Sequence, residues 1–186
     1  LGKMVLISGG ARSGKSRFAE NLALDSGKSV VYLATAIAFD EGMKHRIELH
    51  RIERPGEWKT LEMHSGFSEL RVKEEFESSE LVLLDCMTLL ISNQMLESEL
   101  DFDTATMEDF DRLEDSIMSE IETLLEAVES SGKDIVVVSN EVGLGIVPDT
   151  RLGSAFRDIS GRVNQYLAHV ADEVYMVFLG IPSRLK

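Results

Sequence analysis

Gly9-Gly10-Ala11-Arg12-Ser13-Gly14-Lys15-Ser16 decides how this chain is read. It has the G-x-x-x-x-G-K-S spacing of a phosphate-binding P-loop. An apolar run, Met4-Val5-Leu6-Ile7, leads into it, and a helical stretch leaves it from Ser16. Strand, loop and helix in that order aim backbone amides at one point. There the amides and the positive end of the helix would cradle phosphate oxygens. Lys15 would reach the β and γ phosphates, and Ser16 would hold Mg²⁺. The sequence therefore predicts a nucleoside triphosphate as ligand.

Working outward, five strands are expected, over Met4–Ser8, Ser29–Ala34, Leu81–Asp85, Asp134–Ser139 and Glu173–Leu179. Most are continuous apolar runs, as parallel strands buried on both faces require. Helical stretches separate them, which predicts βαβ units in a layered α/β domain. The clearest helix is expected from about Thr104 to Ser130, with Met107, Phe110, Leu113, Ile117, Ile121, Leu124 and Val128 at helical spacing. Gly132 is its stop signal. A second helix is expected over Leu152 to Val170. A chain of 186 residues without repeats or low-complexity linkers reads as one domain, 1–186.

Composition narrows the function. The net charge of -14 argues against a nucleic-acid partner, whose backbone would be repelled. It leaves a nucleotide possible, because a P-loop supplies positive potential locally. The apolar runs are strand-sized, so no transmembrane segment is expected, and no secretory leader is seen. The single Cys86 excludes an internal disulfide and a cysteine metal cluster, and is expected as a buried thiol after a strand. A cytoplasmic setting is the default.

Three further segments carry chemistry. Asp85 ends an apolar strand, where an acidic residue can take Mg²⁺ directly or through water; a helix cap is the alternative role. The stretch from Met43 to Pro55 is basic within an acidic protein. If it is helical, Arg46 and His50 share a face, as do His50 and Arg54. That face would bring an imidazole, a possible covalent nucleophile, with guanidinium groups to a triphosphate. A solvated helix with surface ion pairs is the other possibility. His45, His64 and His169 have no comparable spacing. The loop Ser139–Pro148 follows a strand tip, where α/β sheets bind ligands, and carries Asn140 and Glu141. Arg151, Arg157, Asp158, Arg162 and Asn164 are expected on the polar side of the next helix.

With these segments in place, the chain closely resembles the bifunctional adenosylcobinamide kinase/adenosylcobinamide-phosphate guanylyltransferase family over essentially its full length. The resemblance rests on Gly9–Ser16, Tyr32-Leu33-Ala34-Thr35, Arg46–Pro55 with Trp58, Asn140–Pro148, Phe156–Gln165 and the closing Gly180-Ile181-Pro182. It implies a P-loop NTPase-like (RecA-like) domain with a mainly parallel central sheet flanked by helices. It implies two activities in cobalamin biosynthesis. One phosphorylates the aminopropanol hydroxyl of adenosylcobinamide with ATP or GTP. The other moves GMP from GTP onto an enzyme histidine and then onto adenosylcobinamide phosphate, giving adenosylcobinamide-GDP. The guanylylated histidine of the R-I-x-x-H-R/K-x-x-R-P pattern is here His50; Leu49 stands where some relatives carry a second histidine. The implied nucleotide site comprises Gly9, Gly10, Ala11, Arg12, Ser13, Gly14, Lys15, Ser16, Glu62 and Asp85, with Ser16 and Asp85 on Mg²⁺. A trimer is implied, with a neighbouring subunit close to the nucleotide. Two other classes stay open on the residues alone. A stand-alone small-molecule kinase would leave the His50 segment unused. A regulatory nucleotide-binding protein would bind without turnover.

Overall fold

The strand that feeds the P-loop is buried throughout and lies inside the sheet. The computed structural model of the chain describes residues 2–37, 41–42 and 54–186. In chain order the elements are β1 (Met4–Gly9), α1 (Lys15–Asp25), β2 (Val30–Ala34), β3 (Lys59–Glu62), a 3-10 turn (Phe67–Val72) and α2 (Glu74–Glu77). There follow β4 (Leu81–Asp85), α3 (Met87–Glu97), α4 (Met107–Ser130), β5 (Asp134–Val138), α5 (Arg151–Val170), β6 (Glu173–Phe178) and β7 (Ile181–Arg184). Seven strands form one sheet in the order β3-β2-β4-β5-β1-β6-β7. The pairings from β3 to β6 are parallel, and β7 joins β6 antiparallel. The fold is α/β with a mixed, mostly parallel sheet flanked by helices.

Alternation along each strand splits the core in two. Leu6, Leu33, Leu84 and Val137 face α3, α4 and α5, where they meet Leu90, Ile117, Ile121, Val163 and Leu167. Val5, Ile7, Tyr32, Leu83, Val136 and Val138 face the other way, onto Ala19 and Ala23 of α1. The two alanines let α1 lie close to the sheet. Each large apolar side chain buried this way stabilises the fold by roughly 1.5–3 kcal/mol against its exposed state. Both faces are covered, so the strands read as apolar runs.

The five expected strands are present, Leu81–Asp85 with the same ends and the other four with one end shifted by a residue. The sheet has two more. β3 reads Lys-Thr-Leu-Glu, is short and lies at one edge, so it has no apolar run to announce it. β7 contains Pro182 and is exposed throughout at the other edge, where a missing N–H is tolerated. α3 was not singled out as a separate helix: it buries Thr88 and Asn93 along with its apolar residues, which blurs the stripe.

α4 starts three residues later than expected, at Met107, because its cap is Thr106. The Thr106 hydroxyl accepts from the Asp109 N–H at 3.3 Å, and the Asp109 carboxylate accepts from the Thr106 N–H at 2.8 Å. These reciprocal bonds satisfy donors that a helix start leaves open. The Thr106 hydroxyl, the Thr106 backbone and Arg112 together pull the Asp109 carboxyl down to about 2. That stabilisation is complete above the ordinary carboxylate range and is lost as pH falls through about 2. Thr106→Ala should cost about 1 kcal/mol in urea unfolding at neutral pH. The helix ends as expected, with Gly132 in the left-handed region at φ 66°.

Candidate active site

Strand register lays out the site. Glu62 pairs with Ala34, Ala34 with Asp85, Asp85 with Val138, and Val138 with Ile7, giving one row across the sheet. Two residues beyond Ile7 the P-loop begins. Parallel strands lie about 4.8 Å apart. Asp85 is thus separated from the P-loop strand only by β5, and Glu62 from Asp85 only by β2. The structure brings Glu62, Asp85 and Gly9–Ser16 to one edge of the sheet, the carboxyl ends of its parallel strands.

The P-loop backbone needs its glycines. A Cβ on Gly9 would stand 2.7 Å from the Ser13 Oγ and 2.7 Å from the Val177 carbonyl. Gly14 has φ +93°, and a Cβ there would come 3.2 Å from the Gly180 Cα. That approach is fixed by the Gly180 N–H, which donates to the Ser13 carbonyl at 2.8 Å. The β6–β7 turn therefore braces the loop, which accounts for the closing Gly180-Ile181-Pro182 of the sequence pattern. Lys15 is buried, and its ammonium donates to the Gly10 carbonyl at 3.0 Å, so it folds back across the loop. Ala11 and Arg12 are exposed, and Ser16 is half-buried in the first turn of α1. That turn carries no acidic residue, so its N-terminal potential stays positive toward an anion. The Ser13 Oγ is buried with no hydrogen-bond partner among the described residues.

Asp85 is held from β2. The Tyr32 hydroxyl donates to Asp85 Oδ2 at 3.0 Å, and the Arg54 guanidinium lies 3.3 Å over the centre of the Tyr32 ring. Burial, and then the Asp85 charge, push the Tyr32 phenol far up, so it remains a donor. The next residue, Cys86, is the buried thiol expected, and burial pushes its pKa up. Thr35 grips its peptide, accepting from the Cys86 N–H at 2.9 Å and donating to the Cys86 carbonyl at 2.7 Å. Sequence reasoning assigned no chemical part to Tyr32 or Thr35, because their partners lie more than fifty residues away.

The β5 exit is tied to the same region. The Ser139 hydroxyl donates to Asn164 Oδ1 at 2.6 Å, and the Asn164 amide donates to the Asn140 carbonyl at 3.0 Å. Asn164 is thus buried against the sheet rather than on the polar side of α5. The Asn140 amide goes to Thr88 on α3, and the Glu141 N–H donates to the Gly9 carbonyl at 3.2 Å. Beyond them Leu144, Ile146 and Val147 are exposed. Arg151 donates to the carbonyls of Asp103 and Ala105, each at 2.7 Å, and Arg162 pairs with Glu114. Arg151, Glu114 and Arg162 line a cleft of about 300 Å³ between α4 and α5 that also takes in Asp158. His64 bonds Glu97, and His169 is exposed.

His50, with His45 and Arg46, lies outside the described residues. Arg54, four positions after His50, is described. Among the described residues no three His, Cys, Asp or Glu side chains form a cluster that would hold a metal alone. The oxygen donors of Ser16 and Asp85 fit Mg²⁺, which takes one or two protein ligands and completes its shell with phosphate and water. Among the described residues no helix is long and apolar enough to cross a membrane.

Residues 5–185 match the family described as cobinamide kinase/cobinamide phosphate guanyltransferase. The chain is 44% identical over 183 residues to the bifunctional adenosylcobalamin biosynthesis protein CobU of Escherichia coli K12, covering 98% of this chain and 99% of that protein. It is 40% identical over 183 residues to the CobU protein of Salmonella typhimurium, with 98% and 99% covered. It is 40% identical over 181 residues to the CobP protein of Pseudomonas aeruginosa, with 97% and 96% covered. A glycine-rich loop braced by a hairpin, an acidic strand tip with one strand between, and above all a match over nearly the whole length lead to one conclusion: this chain belongs to the cobinamide kinase/cobinamide phosphate guanyltransferase family.

Proposed function

We propose that residues 1–186 form one P-loop NTPase-like, RecA-like domain that performs both reactions of this family at a single phosphate site. As a kinase it phosphorylates adenosylcobinamide with ATP or GTP. As a guanylyltransferase it moves GMP from GTP, through His50, onto adenosylcobinamide phosphate. The observation that carries this reading is the single row joining the P-loop strand, Asp85 and Glu62. Arg54 supports the second chemistry, because it stacks on Tyr32 beside Asp85.

In the kinase step the aminopropanol oxygen attacks the γ phosphorus, and the nucleoside diphosphate leaves. In the transferase step an imidazole nitrogen of His50 attacks the α phosphorus of GTP, and the bond to the bridging oxygen breaks to release pyrophosphate. A phosphate oxygen of adenosylcobinamide phosphate then attacks the same phosphorus, and the P–N bond breaks to return free His50. Lys15 and the amides of Gly10–Ser16 hold the charge that collects on the leaving portion. Bound through Ser16 and Asp85, Mg²⁺ supplies further neutralisation of that charge. Arg12 lies exposed on the loop, where a phosphate can meet it. Glu62, on the Asp85 row, stands where ribose or substrate would lie. This reading puts the reaction in the cytoplasm, where GTP and ATP are present.

Incubation with α-labelled GTP and Mg²⁺ tests the reading. Label should survive denaturation on the protein and chase onto adenosylcobinamide phosphate. Absence of protein label would favour a stand-alone kinase. The family's trimer gives a second test. Ile146 is 94% exposed and Leu179 is 96% exposed. Both belong to turns next to P-loop contacts, and apolar side chains so placed call for cover. Light scattering at micromolar concentration should give three times the 20.7 kDa chain mass; a fully active monomer would refute a shared site.

A further inference from the structure

Tyr32 makes two contacts that neither reaction step above uses. It lies on β2 opposite Leu83, two residues before Asp85 on β4, so its ring spans the diagonal between strands. Its hydroxyl meets Asp85 Oδ2 at 3.0 Å. One face of the ring carries the Arg54 guanidinium at 3.3 Å, a stacking that suits a planar cation. Just after Arg54, the Trp58 N–H donates to the Pro55 carbonyl at 3.1 Å, and Trp58 packs against the same apolar cluster as Tyr32. Arg54 and Trp58 therefore both gather at Tyr32, whose hydroxyl meets the acidic tip of β4.

We propose that Tyr32 is a positioning residue for both reactions: its hydroxyl fixes the Asp85 carboxylate in one orientation, and its ring anchors Arg54, which follows the His50 segment. This rests on the reading that Asp85 holds Mg²⁺ and His50 accepts GMP. The physical argument is one of freedom. A free carboxylate at a strand tip samples several rotamers, and each unproductive one weakens the metal site. A bond from a rigid, buried phenol removes that freedom. Arg54 lies four residues after His50 in the sequence, and its guanidinium is held against the buried Tyr32 ring.

The two contacts can be separated. Tyr32→Phe keeps the ring and removes only the donor. It should raise the Mg²⁺ concentration for half-maximal rate about ten- to a hundredfold in both reactions, the scale of one bond to a charged group. Mn²⁺ binding to GDP-loaded protein, read by electron paramagnetic resonance, should weaken by the same factor. Arg54→Gln removes the stack and should lower the ratio of GMP attachment to kinase rate about tenfold, the size of a desolvated cation–π contact. Trp58 emission, from the only tryptophan, serves as the fold control in both variants. Asp85→Asn and His50→Ala test the underlying reading separately. If Asp85→Asn weakens Mn²⁺ and Tyr32→Phe does not, positioning through the hydroxyl is overturned. If Asp85→Asn leaves Mn²⁺ binding as in wild type, the metal role of Asp85 fails instead. Equal loss of both reactions in Arg54→Gln would overturn the anchoring role of the ring.

Discussion

Lys15→Ala should lower the kinase and guanylyltransferase rates together, each at least about a hundredfold, the scale of removing one preorganised charge donor. Lys15 is the seventh of the eight loop residues, buried at 8% exposure, with its ammonium on the Gly10 carbonyl. That bond curls the side chain over the glycine-rich loop, the part that the proposed function gives to phosphate. Both reactions place charge on the β and γ phosphates, so one side chain serves both. Loss through fold damage would look different. The loop backbone is fixed independently of Lys15, by the Gly180–Ser13 bond and the left-handed Gly14. Circular dichroism and urea midpoints should therefore stay close to wild type. Steady-state rates for each product, measured separately over a range of GTP, decide the matter. Near-normal rates at low GTP would remove Lys15 from the site. Loss of only one activity would mean that the two reactions do not share their phosphate cradle.

How far the sequence could be read depended on how local each signal was. The P-loop is eight consecutive residues, and its chemistry follows from its spacing. The inner strands are apolar because helices cover both faces, so each strand declares itself. β3 and β7 sit at the edges, where one side of the ladder needs no partner and apolar residues are not required. Asp85 was legible as an acidic strand tip, but its partner Tyr32 lies 53 positions away and looks like one more aromatic in a strand. Asn164 misled for a related reason. Helical spacing put it with the arginines, yet it turns inward because Ser139 and the Asn140 carbonyl need its amide. A buried polar group declares itself only when its partner is known. His50 is a different case. Its assignment came from a motif of mixed residues, not from position, and that segment lies outside the described residues.

His50→Ala should abolish GMP attachment and lower guanylyl transfer at least about a thousandfold, as loss of a covalent nucleophile does. Kinase turnover should fall much less. A substrate hydroxyl can attack the γ phosphorus directly, with no enzyme intermediate to lose. The variant thus splits two reactions that Lys15→Ala lowers together, and the contrast between the two variants is itself a test of one cradle with two nucleophiles. The chemistry of the linkage adds a check. GMP on imidazole is a phosphoramidate, labile in acid and comparatively stable in base, whereas GMP on a carboxylate would be lost in base. The measurement is trapping of α-labelled GTP on wild type and variant, alongside separate assays of phosphorylated and guanylylated product. Acid-labile label persisting on the variant would move the nucleophile elsewhere, with His45 the first candidate. Equal collapse of both activities with the fold preserved would mean that His50 shapes the phosphate site rather than attacking phosphorus. The expected result, a protein that still phosphorylates adenosylcobinamide but carries no label, leaves neither alternative standing. A solvated surface histidine could not produce it, because its removal would touch neither rate.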